Sequence, residues 1–560
     1  RAAGRALGVV LAFGLIAAAC GDDDEGGEGT ETTETTVATE EGEGEETEAT
    51  TTTAAEEEAA ATCDATVPGS VLNFGIYAPS ASLDPLASSG ALTGGTELAA
   101  IYDVLFRWNP ETGEWEGQAA ESLESNADFT EWTLTLKEGV TYGNGETLTA
   151  QDVVDNVNRM LGPGRNASRG FLQRIDMANT VVQDDLTVVF KLFEPWSAFP
   201  YAFADAPGMI VNPRVAANVD SAGASIVATD PTGAGVGPYE VERYAPGEPT
   251  YLTLTARADY WGGPVCIETI NFVNIPVDDT KADALETGEL DVAFLRTADV
   301  IKEVRDSGEY GELFELQSAG GVILINNNVG THTPITSDAR FRQAVSLAID
   351  PEALSQRAFG GELLTQESMI HPDSKWYSEG LAPLETDPAA AAALVEELKG
   401  EGWDGNVRLV CPDTNPDVPV AIEAALEAAG MTVDSQIADT NTHIAAVAVN
   451  RDFDMACWGW NISDSAIWRQ IGFNLYSDSP SNRIGYGNPE MDTAIDALFA
   501  APDDDARREA VASIAEVFAA DVPSAVYGAV EEGIFFTDKV QGLKQTQQTV
   551  FLFDDAVLAE

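Results

Sequence analysis

Two stretches of this sequence, far apart in the chain, each carry the pattern of a β-α-β unit. In the first, 271–275 reads as a strand, 280–286 as a short helix stopped by Gly288, and 291–295 as a second strand. In the second, 407–411, then 420–429 with Gly430, then 431–433 repeat that order. Strands joined through a helix lie parallel in one sheet, so each stretch predicts an α/β layer of its own. Two extended segments, 312–327 and 526–536, follow these units and can run from one layer to the other. The expectation is a pair of α/β lobes, 66–325 with 527–560 forming the first and 326–526 the second, hinged through 316–327 and 524–536. About 495 residues beyond the acidic N-terminal tract are too many for one hydrophobic core, which agrees with a division.

Local signals fill in these lobes. Residues 71–77 alternate as a strand, and Trp132, Leu134 and Leu136 share one side of another. Residues 97–106 have helical spacing. Thr149 opens a helix with Asp152 as its capping-box partner. Asp338 caps a further helix, and Asp387 followed by Pro388 starts the next. Residues 491–500 and 505–520 read as helices, and no repeat of solenoid period is present.

The first residues have the makings of an export signal. Arg1 and Arg5 precede an apolar run, 6–19, of about 14 residues, short for a membrane-spanning helix and suited to a cleavable signal. Ala17-Ala18-Ala19-Cys20-Gly21 resembles the lipobox of bacterial lipoproteins, which implies a signal peptide over 1–19 and lipid on Cys20. Residues 21–62 hold no Lys, Arg or aromatic residue. Such a tract has too little apolar surface to fold, and 20–65 is read as a disordered acidic tether. The formal charge of −64 and pI near 4.1 argue against nucleic acid as a partner. Five cysteines are present. With Cys20 set aside, Cys63, Cys266, Cys411 and Cys457 allow three pairings, of which Cys63–Cys266 and Cys411–Cys457 are preferred.

Chemistry-bearing motifs are absent from the sequence. It has no Gly-x-Ser-x-Gly, Walker loop or zinc signature, and its three His, His332, His371 and His443, lie far apart. No catalytic residue, metal site or cofactor is expected.

In order along the chain stand Leu83-Asp84-Pro85, Ile101-Tyr102-Asp103 with Leu105-Phe106, and the nine residues from Trp132 to Val140. Leu148-Thr149-Ala150 with Asp152-Val153, Gly235 with Gly237-Pro238-Tyr239, and Tyr260-Trp261-Gly262-Gly263 follow. The set ends with Gly288-Glu289-Leu290-Asp291, Arg340-Phe341-Arg342-Gln343-Ala344, Asp454-Met455-Ala456 with Trp458-Gly459-Trp460, and Gly485-Tyr486 with Asn488-Pro489-Glu490. This ordered set resembles the family 5 extracellular solute-binding proteins, the peptide/nickel group of ABC importers. The resemblance implies a two-lobe periplasmic-binding-protein-like fold of type II, cluster C, with an extra subdomain near 118–230. It implies an extracytoplasmic, membrane-anchored monomer that captures oligopeptides or similar solutes and delivers them to permease and ATPase subunits. Many peptide-binding members have an Asp three places after the second Trp, whereas here the acid, Asp464, comes one place later. An oligosaccharide, an opine or a metal chelate is the alternative ligand, and a non-transport receptor the alternative role.

The site expected from this reading lies between the lobes. Asp464 is the candidate partner for a ligand ammonium. Trp458 and Trp460 alternate on a strand and are read as an aromatic wall. Asn326, Asn327 and Asn461 can bond ligand amides or hydroxyls, and Arg483 a carboxylate. Tyr77 and Ser80 end the first strand where a cleft opens, and Gly237 allows close backbone approach.

Overall fold

The computed structural model describes residues 63–559 except Ser89, 163–167 and Ala222. The signal, most of the tether and Cys20 therefore lie outside the described residues. Both predicted β-α-β units are present. Ile267–Asn274, helix Asp278–Glu286 and Val292–Leu295 form the first. Asn406–Pro412, helix Asp417–Ala428 and Thr432–Ala438 form the second, its strands parallel from Asn406↔Thr432 to Pro412↔Ala438.

Among the described residues, twelve strands join in one sheet. Ten of them run in the order Thr432–Ala438, Asn406–Pro412, Met455–Trp458, Gly311–Ile325, Ser524–Phe536, Val292–Leu295, Val67–Ile76, Ile267–Asn274, Thr250–Ala256, Tyr239–Tyr244, while Leu364–Thr365 pairs with Ser524–Phe536 and Ile462–Ser463 with Gly311–Ile325 off this path. The two long central strands belong to both ends of it. Gly311–Ile325 uses Val322–Ile325 to pair with Met455–Trp458, and Ser524–Phe536 uses Gly533–Phe536 to pair with Val292–Leu295. They pair antiparallel with each other from Gly311↔Phe536 to Leu324↔Ser524, with register shifts on either side of Gly321. Ala319 there has a φ of +51°. A side chain at Gly321 would bring a Cβ within 2.2 Å of the Tyr527 ring. Glycine is therefore what lets the two strands cross where one half gives way to the other.

A smaller four-stranded sheet, Ala120–Ser125, Glu131–Leu136, Thr187–Lys191 and Val181–Val182, lies within the span expected for the subdomain. Strand Glu131–Leu136 buries Trp132, Leu134 and Leu136. Helix Ala150–Leu161 begins with the expected box, in which Asp152 N–H donates to Thr149 Oγ1 and Thr149 N–H to Asp152 Oδ2. Asp387 caps helix Pro388–Gly400 by accepting from the N–H of Ala389 and Ala390.

The helix expected over 97–106 ends earlier, at Tyr102. Asp103 turns the chain with a φ of +57°, and its carboxylate accepts from Val104 N–H and Tyr260 O–H. Phe106 then opens strand Phe106–Asn109.

One apolar cluster runs unbroken from Leu134, Phe171 and Phe190 of the subdomain to Trp460, Ile495 and Phe518 of the second half. The halves meet there in detail: Ser197 N–H donates to the carbonyl of Phe499 at 2.8 Å, and Trp196 packs edge-on to Phe499.

Both expected disulfides form, Cys63–Cys266 and Cys411–Cys457. The first closes a sequence separation of 203 residues. A loop this long makes the cross-link a substantial constraint on the unfolded chain. Replacing Cys63 and Cys266 by Ser is expected to lower unfolding free energy by about 2–4 kcal/mol, read as an earlier urea midpoint at constant slope.

Candidate functional site

The crossing strands bring two acids face to face. Glu315 and Glu532 are cross-strand partners, and both are buried. Like charges directly opposite on a sheet repel, and burial removes the water that would screen them. Burial first, then the neighbouring Glu532, pushes the Glu315 carboxyl up to about 7. Glu532 is also raised by burial, against the pull of Arg296. Glu315 Oε1 accepts from Ser465 Oγ and from Ser465 N–H at 3.3 Å. Glu315 Oε2 is buried with no hydrogen-bond partner.

Arg296, which directly follows strand Val292–Leu295, joins the two halves at this point. Its Nη2 donates to Asn461 Oδ1 at 2.9 Å and Gln317 Oε1 at 3.4 Å, and its Nε lies 3.3 Å from Glu532 Oε1. Its guanidinium stands 5.9 Å from the Tyr77 ring. The C-terminal segment supplies the next side of the cluster. Thr549 Oγ1 donates to Glu532 Oε2 at 2.7 Å, and Gln548 N–H to Ser465 Oγ at 3.2 Å. Both Gln548 and Thr549 have a φ of +55°. For a β-branched residue this is a strained conformation, of the kind concentrated at functional sites. Gln548 extends the network to Arg469, whose Nη1 donates to its Oε1, and to Tyr201, whose hydroxyl accepts at 3.1 Å. Asp205 lies 3.9 Å from Arg469. Three acids and two guanidiniums thus meet in a buried seam, and three carboxylate oxygens, Glu315 Oε2, Glu532 Oε1 and Asp205 Oδ2, have no hydrogen-bond donor.

The structure brings only part of the expected site here. Tyr77 and Asn461 meet at Arg296. Asp464 is held within the second half: Ser374 Oγ and Lys375 N–H donate to its carboxylate, and Trp376 Nε1 to its carbonyl. The loop so fixed sets Lys375 4.8 Å from the Trp108 ring. Trp458 and Trp460 do not form one wall. The strand ends at Trp458, which lies beside His443 and Arg483, while Trp460 is 2 % exposed and packs edge-on to Phe518. Asn326 and Asn327 bond backbone carbonyls, Val329 and Phe453 for one, Ile325 and Pro523 for the other. Arg483 donates to Asn474 Oδ1. Ser80 is buried in the first half, bonded to Ser82 and Tyr251. At Gly237 a Cβ would come within 2.5 Å of the Ile101 carbonyl carbon, so this glycine serves packing against helix Gly95–Tyr102.

Sequence reasoning missed Glu315, Glu532, Arg296, Ser465, Arg469, Gln548 and Thr549. The available signal was an acid inside an apolar extended run, at Glu315 after Leu313-Phe314 and at Glu532 before Ile534-Phe535. Among the described residues, no group of three or more His, Cys, Asp or Glu is placed to hold a metal ion, and no helix is long and apolar enough to cross a membrane.

Comparison with known proteins places this architecture. The family model for bacterial extracellular solute-binding proteins, family 5 Middle, matches residues 114–478. Protein XP55 of Streptomyces lividans is 25 % identical over 404 residues, 70 % of this chain and 71 % of that one. The probable D,D-dipeptide-binding periplasmic protein DdpA of Escherichia coli is 23 % identical over 449 residues, 78 % of this chain and 84 % of its own. Among solved structures, the ABC transporter-associated periplasmic binding protein DppA of Helicobacter pylori, in complex with the peptide STSA, superposes with a TM-score of 0.74. It is 20 % identical, and the match covers 88 % of this chain and 98 % of that one.

Proposed function

Since the chain belongs to the bacterial extracellular solute-binding proteins of family 5, we propose that it captures a small peptide-like solute bearing a cationic amine and hands it unaltered to the permease of an ABC importer. The observation that carries this reading is the pair of opposed buried acids, Glu315 and Glu532, with Glu315 Oε2 lacking a donor. An ammonium entering the seam supplies the missing donor and the missing positive charge together. Lobe closure removes it from water, where a charge pair counts for more than on an open surface. The likeness to peptide-binding relatives supports the peptide-like class.

The motion required is a bend at the strand crossing near Ala319–Gly321, the first half comprising 66–325 with 527–560 and the second 326–526. Hinges of this kind absorb backbone change in a few residues while the halves move as bodies. In the same reading the protein acts outside the cytoplasm, as a monomer held to the membrane by lipid on Cys20, and performs no turnover.

Calorimetry with short peptides and their N-acetylated forms tests the assignment. The free amine is expected to bind more tightly than the acetylated form, and Glu315→Gln to remove about 2–5 kcal/mol of that preference. Equal affinity for amine and acetylated peptide in the wild type would exclude Glu315 as the cation acceptor.

A further inference from the structure

Beside the charged seam lies a cavity of about 190 Å³ between the subdomain and helix Ile467–Leu475. Rings form part of its wall, Phe171, Trp468, Phe473, Tyr476 and Phe499, with Phe193 at the edge, 66 % exposed, and Arg174, Glu194 and Arg469 stand among them. Phe171 and Phe473 are stacked across the two halves, centroids 6.0 Å apart and planes at 17°. The Arg174 guanidinium stands 3.9 Å from the Phe499 ring and bonds Asp496 of the same helix. Trp468 is 2 % exposed, and its indole N–H has no acceptor.

Each of these features has a counterpart in one kind of group. An apolar cavity of about 150 Å³ accommodates benzene, so this one has room for a six-membered ring with a substituent. Ring edges and faces favour another ring over a branched aliphatic of equal size. Arg469 borders both the cavity and the seam: it lines the first, and it donates to Gln548, which bonds Ser465, the partner of Glu315.

We propose that the solute carries an aromatic ring, and that this ring occupies the cavity between helix Ile467–Leu475 and the subdomain. The inference rests on the amine-capture reading for the ligand's other end. The test compares Ala-Tyr-Ala, Ala-Leu-Ala and Ala-Ala-Ala by calorimetry in the wild type and in Gln173→Trp, an exposed position at the cavity whose enlargement would fill it. The tyrosine peptide is expected to bind about tenfold tighter than either other peptide, and Gln173→Trp to bring the three within about twofold. Equal binding of the three peptides to the wild type, or a tyrosine preference that survives Gln173→Trp, overturns the proposal and leaves the amine reading standing. If no peptide binds, the amine reading fails and p-cresol decides the cavity alone. A thermal shift with p-cresol in the wild type that is lost in Gln173→Trp supports ring binding, and no shift overturns it.

Discussion

Replacing Arg296 by alanine is expected to cost the folded protein about 3–5 kcal/mol, among the largest effects of any single change at the seam. The residue supplies the positive charge beside Glu532, which is 1 % exposed, and also bonds Asn461 and Gln317. Removing one partner of a buried ion pair leaves the other uncompensated, and that penalty exceeds what the pair itself contributes. The double variant Arg296→Met, Glu532→Gln is therefore expected to recover most of the loss, because both charges leave together. Arg296→Lys should fall between, since an ammonium cannot span three acceptors with a planar fork. Urea unfolding at one pH measures all three. A loss below about 1 kcal/mol for Arg296→Ala would mean that Glu532 is neutral or solvated, and the seam would not be a charged site.

Stability is expected to fall as pH rises from 5 to 8, with Glu315 a principal contributor. Its carboxyl is raised to about 7 in the folded protein from an ordinary value of 4.5, burial being the main cause. A group raised by folding contributes stability in full below its unfolded value and loses it as pH rises through the folded one. The window is therefore between about 4.5 and 7 for Glu315. Two further buried acids act in the same window and with the same sign. Glu97 is raised to about 7 by burial against its bond to Tyr251, and Asp103 to about 7 by burial and the nearby Asp554. At most, Glu97 is worth about 3 kcal/mol and Asp103 about 4 kcal/mol. Glu315→Gln should flatten the pH dependence by one proton's share without abolishing it, as read from urea midpoints at each pH. Binding has the opposite sign. A cation draws the carboxyl into its charged form, so amine affinity should rise with pH through 7 and calorimetry should report a released proton. Heats independent of the buffer's ionisation enthalpy would remove Glu315 from the binding step.

Much of the frame was legible because it is written locally. Periodicity located the two β-α-β units, and capping residues such as Thr149 and Asp387 located helix starts. The long segments read as hinges are the two strands that cross between the halves. Where local pattern failed, a single residue in an unusual conformation intervened: Asp103 ends a helix that hydrophobic spacing would continue to Phe106. The site was less legible, because its members come from widely separated segments and meet only through register. Glu315 and Glu532 are more than two hundred positions apart in sequence, and no pattern around either reveals the other. Asp464 and Trp460 were drawn toward the site by their place beside a motif. The chain uses the first to fix a loop and the second to fill a core.

Ser524–Phe536 comes far later in sequence than Gly311–Ile325 and Val292–Leu295, yet it lies between them in the sheet order. Everything before it can form pieces on either side, but nothing joins Gly311–Ile325 to Val292–Leu295 until this segment arrives. Removing this one strand would split the sheet in two and leave each half with an open edge, rather than merely shorten one of them.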